Sequence, residues 1–202
     1  MSDVDSEELH EGPTIGTYEG ERNDKGQRHG QGKNLFPNGD SYDGQYSEGL
    51  RGGHGTYRWK VSGARYVGSY AEDKKHGEGL LVYPDGSKYR GGFVAGKRSG
   101  FGTYLYANGD VYKGHWEDDA KHGPGEYTYG AVGSTKKGIW VHNMLNGSGQ
   151  IIHADHHISG HWASNDLMVA PVKITFLSTG YTQTCANPIY LGVAAVPSEI
   201  TA

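Results

Sequence analysis

The sequence predicts an all-β protein: an open, single-layer, twisted antiparallel sheet made of consecutive β-hairpins, a repeat ribbon without a helical layer. Three observations predict it. Glycine supplies 34 of 202 residues and tyrosine 15, whereas methionine supplies 3 and phenylalanine 4. An aromatic-glycine-aromatic stretch recurs every 23 or 24 residues. Three of the recurrences end in a short Asn-Gly or Asp-Gly turn.

The recurrence is anchored at Tyr18, Tyr42, Tyr66, Tyr89 and Tyr112. A sixth unit starts at Lys136, which stands in place of the tyrosine and is followed by Gly138 and Trp140. An eroded seventh starts at Ile158, with Gly160 and Trp162. Within a unit the template is Y-x-G-x-(Y/W/F)-x-x-(G/D)-x-x-(H)-G-x-G. Gly44, Gly68, Gly91, Gly114 and Gly138 hold its third place and read as structural glycines.

Each element follows from strand geometry. In YVGSY, Tyr66, Gly68 and Tyr70 fall on one face of a strand, because side chains alternate. The glycine between two rings leaves an opening where an aromatic ring can lie on the backbone. DKKHG turns the chain, and GEGLLVY forms the second strand. PDG at 84–86 closes the unit, with PNG at 37–39, VSG at 61–63 and ANG at 107–109 as equivalents. Asn-Gly and Asp-Gly between strands predict type I′ turns, which need two residues at positive φ. One unit cannot bury a core, so stacked units share one. Two strands at about 4.8 Å give an advance of roughly 10 Å per repeat.

The domain reading is an acidic disordered arm at 1–14, a repeat array at 15–163 and a divergent tail at 164–202 that caps the array or docks a partner. Net charge is −4 with both signs interleaved, which offers no basic footprint for nucleic acid. The single cysteine, Cys185, excludes an internal disulfide framework. The acidic opening MSDVDSEELHEG is unlike a secretory signal, and no apolar run approaches a bilayer span. A cytoplasmic protein is expected.

The template at this spacing resembles the MORN repeat, in the units starting at Tyr18, Tyr42, Tyr66, Tyr89, Tyr112 and Lys136. The resemblance implies an open single-layer sheet and a non-catalytic assembly or targeting role. A narrower likeness lies in GTYEGERNDKGQRHGQGKNLFPNGDSYDGQY, GARYVGSY and KKHGEGLLVYPDGSKYRG. These stretches are similar to the branch of the family found in the radial spoke heads of motile cilia and flagella. That likeness implies a structural spoke-head subunit in the axoneme, partnered by other spoke-head proteins and by a second copy in a symmetric head. It departs from that branch after residue 166, where no acid occurs before Glu199 and apolar runs such as KITFL replace an acidic end.

Tyr42, Tyr46, Tyr66, Tyr70, Tyr89, Phe93, Tyr112, Trp116, Trp140 and Trp162 form the expected aromatic face. Singly, each reads as a rung of an internal ladder. Together they read as a partner-docking face, because a single layer has nothing to cover them. His153, His156, His157 and His161, with Asp155, have spacings zinc accepts, yet they sit in decaying repeats and read as surface and turn residues, like His29, His76 and His122. No metal, cofactor or catalytic residue is expected: the H-G-x-G pairs never continue to a phosphate loop, and G-x-S-x-G is absent. Cys185 has no motif around it, and Glu117, Asp118 and Asp119 read as solvated turn acids. The basic doublets Lys74-Lys75, Lys97-Arg98 and Lys136-Lys137 support an alternative, a phosphoinositide-contact adaptor, but nearby acids dilute them and membrane lipid is disfavoured. A targeting domain for an attached enzyme is weaker still, since no catalytic motif is present.

Overall fold

A computed structural model describes residues 16–191. The arm expected at 1–14 and the final tail residues, 192–202, lie outside the described residues. Sixteen strands form one antiparallel sheet. They are β1 (Thr17–Arg22), β2 (Arg28–Leu35), β3 (Ser41–Ser47), β4 (Leu50–Arg58), β5 (Arg65–Ala71), β6 (Lys74–Val82), β7 (Lys88–Val94) and β8 (Lys97–Leu105). There follow β9 (Val111–Glu117), β10 (Ala120–Thr128), β11 (Thr135–Val141), β12 (Met144–Ile152), β13 (His156–Ser164), β14 (Leu167–Phe176), β15 (Thr182–Cys185) and β16 (Ile189–Tyr190). Order in space is order in sequence from β1 to β15, and β16 pairs with β14. No helix occurs among the described residues, so the sheet is a single layer, as its composition and repeat pattern require.

Alternation decides the faces. In β5 the residues Tyr66, Gly68 and Tyr70 are buried while their neighbours are more exposed. The same pattern recurs in β3, β7 and β9. Glycine then fixes the register. Gly20, Gly32, Gly44, Gly55, Gly68, Gly79 and Gly91 pair directly in adjoining strands. Gly102, Gly114, Gly125, Gly138, Gly149 and Gly160 continue the line. A glycine row thus crosses thirteen strands without a break.

Two turn types alternate, and here the sequence reading needs correction. The expected type I′ turns at PNG, PDG and ANG are type I turns followed by one left-handed glycine. Gly39 donates to Phe36 O at 2.9 Å and has φ 81°, and Gly86 and Gly109 repeat the arrangement. At PNG and PDG the reason is proline: Pro37 and Pro84 hold φ near −65° at the position where a type I′ turn needs it positive, and ANG, with Ala107 there, adopts the same turn. The paired positive φ values sit at the other end of each unit. Glu48 and Gly49 have φ 49° and 92°, Glu72 and Asp73 49° and 64°, and Ala95 and Gly96 50° and 94°. Asp118-Asp119 and His142-Asn143 do the same. Beyond these turns each second strand bulges, for example between Arg51 and Gly55 on β4, opposite Gly44 to Tyr46 of β3. His29, His76 and His122 lie in β2, β6 and β10, not in turns.

The described part of the tail continues the sheet. Ile158, Trp162, Met168 and Val172 are buried at the β13–β14 hairpin. β15 pairs with Val172–Thr175 and β16 with Leu167–Met168, so two short strands share the outer edge of β14. Short strands present little unpaired backbone for edge-to-edge association.

The glycine row generates a prediction. A Cβ added at Gly79 would lie 2.5 Å from the Tyr66 ring, whereas one at Gly52 would meet only ordinary contacts near Ser47. Gly79→Ala is expected to cost about 1–3 kcal/mol of stability by overpacking, and Gly52→Ala no more than about 0.5 kcal/mol. Urea denaturation of the two variants checks the difference.

Candidate functional site

The site begins with the ring ladder. Tyr18 meets Tyr46 edge to face with centroids 5.4 Å apart. From Tyr46 the contacts run to Tyr42, Tyr70, Tyr66, Phe93, Tyr89, Trp116, Tyr112 and Trp140 in turn, at 5.1–5.3 Å and with planes 81–89° apart. Such pairs contribute about 0.5–1.5 kcal/mol each beyond their burial. The first tyrosine of each unit lies over the glycine pair. Cβ atoms at Gly55 and Gly125 would strike the Tyr42 and Tyr112 rings, and those at Gly44 and Gly114 would meet the same tyrosines' hydroxyls and the Cα of the facing glycine. Its hydroxyl donates to the carbonyl three residues on: Tyr42 to Gln45 at 2.9 Å, Tyr66 to Ser69 at 2.9 Å, Tyr89 to Gly92 at 3.0 Å and Tyr112 to His115 at 3.0 Å.

These rings are not an open face. All ten expected docking residues are buried, none more than 6% exposed. The single layer hides them because the bare glycine backbone makes a floor and cationic side chains make a roof. Arg51 lies over Tyr42, Tyr57 and Tyr70 at 5.2–5.7 Å. Arg98 lies 4.3 Å from the Trp116 ring and Lys121 4.4 Å from that of Trp140. Long alkyl stems cover apolar surface while their charged ends reach out. Burial pushes the Tyr46 hydroxyl up to about 12, with Arg28 and Arg51 opposing, and raises those of Tyr42, Tyr66, Tyr89 and Tyr112 further.

A second aromatic row remains partly exposed along the proline-glycine turn edge. It comprises Phe36, Tyr57 and Trp59, then Tyr83, Tyr104 and Tyr106, then Tyr127 and Tyr129. Neighbouring rings in each group lie 4.5–5.6 Å apart. Polar residues after the turn glycines hold the row. Tyr57 and the Lys60 amide both donate to Asp40 at 2.8 Å. Tyr127 and the Gly130 amide donate to Asp110 at 2.6 and 2.8 Å. Between them Ser87 bonds Tyr104 at 2.8 Å. The Lys60 amide, against burial and aided by Tyr57 and Asn38, holds the Asp40 carboxyl below the usual range.

The roof cations differ in partners. Asp73 Oδ1 accepts from the Arg51 amide at 2.8 Å and from its Nε at 3.0 Å. Asp119 does the same for Arg98, at 2.9 Å for both bonds. Lys136, in the place of the sixth tyrosine, is buried and donates to Asn165 O at 2.6 Å and to Asp166 Oδ1 at 2.8 Å. Burial opposes its charge, but Asp166 and Tyr129 outweigh burial and raise its pKa. The Trp162 ring lies over Gly138 and Gly149, where that tyrosine would have lain. The basic doublets therefore split: Lys74 and Lys97 are exposed while Lys75, Arg98 and Lys136 turn inward, because strand neighbours face opposite ways. Lys97 bonds Asp118 at 3.2 Å and Lys137 bonds Glu126 at 2.8 Å.

Among the histidines, His153 stacks on His156 at 4.5 Å, and His156 bonds Asp155 at 2.7 Å. No group of three or more potential metal ligands is assembled among the described residues.

The MORN-repeat family model matches residues 24–41, 42–63, 66–88, 89–111, 112–130 and 137–158, more than half of the chain. The chain belongs to the MORN-repeat family. Among curated proteins it is similar to Radial spoke head 1 homolog of Mus musculus, 58% identical over 48 residues, which are 23% of this chain and 16% of that protein. The Cyprinus carpio protein of the same name is 53% identical over 47 residues, 23% of this chain and 22% of its own length. These stretches thus span about a fifth or less of those relatives. Alsin of Homo sapiens is 30% identical over 141 residues, 66% of this chain and 7% of Alsin. In fold alone, the chain is similar to the SAS-4 (dCPAP) TCP domain of Drosophila melanogaster, solved in complex with a proline-rich motif of Ana2. The TM-score is 0.53, with 11% identity over 92% of this chain and 96% of that one.

The MORN template accounts for the buried ladder. Sequence reading overlooked the second ring row and the roof cations, although both are periodic: Arg51, Lys75, Arg98 and Lys121 recur every 23 or 24 residues.

The buried hydroxyls predict an alkaline transition. A raised folded pKa means that the MORN array keeps protons the unfolded chain would release. This stability is complete below about pH 10, the ordinary tyrosine value, and is lost as pH climbs towards the raised folded values. Tyrosinate absorbance from the ladder is expected to appear in one step together with loss of strand circular dichroism. Smooth ionisation near pH 10 with the dichroism intact would show the rings to be open to solvent.

Proposed function

We propose that this chain is a non-catalytic structural subunit of the radial spoke head of motile cilia or flagella, where it docks other spoke-head proteins and supports motility. The observation that carries the reading is the 58% identity over 48 residues to Radial spoke head 1 homolog. The fold suits the role: a single-layer ribbon gives a long, regularly spaced surface for its mass. Docking falls to the partly exposed second ring row and the charged turn edges around it, with the buried ladder as the stiffener beneath. The tail serves as the cap of the array, and a second copy completes a symmetric head. The phosphoinositide alternative draws little support, because the basic doublets split between faces and most of their charges are engaged within the chain.

Fractionation of ciliated cells expressing the tagged chain tests the reading. The protein is expected in demembranated axonemes, released by salt together with spoke proteins. Recovery in the membrane fraction with none in axonemes would overturn it.

A further inference from the structure

We propose that Lys75 and Lys121 are two anchor points for one extended acidic peptide of a protein partner, each taking one carboxylate. The proposal rests on the reading of the chain as a docking scaffold and is independent of its location in the cell.

Four turns of the ribbon present equivalent positions. Asp73, Gly96, Asp119 and Asn143 each end a two-residue turn, and each donates its amide to the carbonyl of Arg51, Lys75, Arg98 or Lys121 respectively, at 2.8–3.1 Å. The geometry repeats while the chemistry alternates. Where the turn residue is Asp73 or Asp119, its carboxylate joins the main-chain amide and the guanidinium of the facing arginine. Where it is Gly96, the turn residue brings no side chain to Lys75. Where it is Asn143, the neutral amide oxygen takes the Lys121 main-chain N–H at 2.9 Å and brings no charge. Among the described residues, neither lysine is in an ion pair.

Both ammonium groups are held over rings. Lys75 Nζ lies 5.3 Å from the Phe93 centroid and 5.8 Å from that of Tyr66. Lys121 Nζ lies 4.4, 5.1 and 5.3 Å from Trp140, Tyr127 and Tyr112. Burial, and then Arg98, pull the Lys121 pKa down to about 8. Burial also lowers Lys75, with Asp119 opposing and Arg98 reinforcing. A half-buried cation without an anion is an unfavourable arrangement that an incoming carboxylate relieves. Beside Lys121 the surface opens into a concavity of about 320 Å³ lined also by Tyr104, Tyr106, Trp116 and Asn143, and by Arg98 and Asp119, which are paired with each other. That lining suits an acidic side chain flanked by an aromatic or aliphatic one.

Spacing adds a constraint. The lysines stand two repeats apart, about 20 Å, which an extended peptide spans in about six residues. A partner segment with acids at that interval engages both at once, and Arg98, already neutralised by Asp119, lies between.

The probe is a capped peptide with two glutamates about six residues apart, separated by serines and each next to a phenylalanine; its partner peptide carries glutamines instead. Calorimetry with the full chain at low salt is expected to show the glutamate peptide binding at least about tenfold tighter, with the advantage shrinking as salt rises. The variant carrying both Gly96→Asp and Asn143→Asp supplies the missing carboxylates from within. It should still fold, at a modest cost in stability, since a Cβ at Gly96 meets nothing within 4 Å but its φ of 94° must move towards the 64° and 69° that Asp73 and Asp119 adopt at the same position. It should also lose the preference for glutamate. Equal binding of the two peptides, or an undiminished preference in that variant, would overturn the proposal. So would binding to phosphatidylcholine vesicles carrying a phosphoinositide that the same variant abolishes, since the lysines would then serve a membrane. None of these results bears on axonemal location, so this proposal and the spoke-head reading can fail separately.

Discussion

The contact between a tyrosine ring and two facing glycines holds this molecule together. A ring can lie flat on a strand only where no Cβ intervenes, and it can cover two strands only where glycines stand opposite one another. That requirement sets the register of the five hairpins from β1–β2 to β9–β10, and Trp162 takes the ring's part over Gly138 and Gly149 in β11–β12. It also selects one orientation for the ring, with the hydroxyl bonded to its own strand three residues later. Backbone, ring and hydrogen bond are one unit, so the repeat tolerates change elsewhere more readily than here.

With the floor settled, the remaining problem is the upper surface of the rings. A second sheet or a helix would ordinarily cover it. This chain uses long basic side chains instead, which bring cation–π attraction as well as cover. The solution makes charge part of the core and, through the Arg51–Asp73 and Arg98–Asp119 pairs, ties alternate units to the next at the turns. Because those pairs are partly exposed, each contributes modestly. Their larger effect is to hold the arginine stems over the rings.

The sequence made the fold legible because glycine and tyrosine recur with a fixed period, and period converts directly into strand, face and stack. Tyr66, Gly68 and Tyr70 could be assigned to one face from alternation alone. The turn types were legible too, once Pro37 and Pro84 are given the weight that Asn-Gly and Asp-Gly received. Burial of the ladder was harder to see. Composition offers no second layer, and nothing in the repeat labels Arg51 or Lys121 as cover; that role appears only when the bulge and the turn bring the side chain back over its neighbour's ring. The exchange at Lys136, where Trp162 from the next unit occupies the glycine pair, is likewise a three-dimensional substitution with no local sequence mark. The tail gave strand-like runs without a period, and so its pairing partners could not be deduced.

The meander has a mechanical corollary. Hydrogen bonds between neighbouring strands point along the length of the ribbon, one strand pair after another. Tension applied end to end therefore loads those pairs in series, and the weakest opens first, as a zip does. Tension applied across the ribbon, from one turn edge to the other, runs along the covalent backbone of many strands side by side and asks them to slide past one another together. A plate of this construction is compliant in one direction and stiff in the perpendicular one, whatever it is attached to.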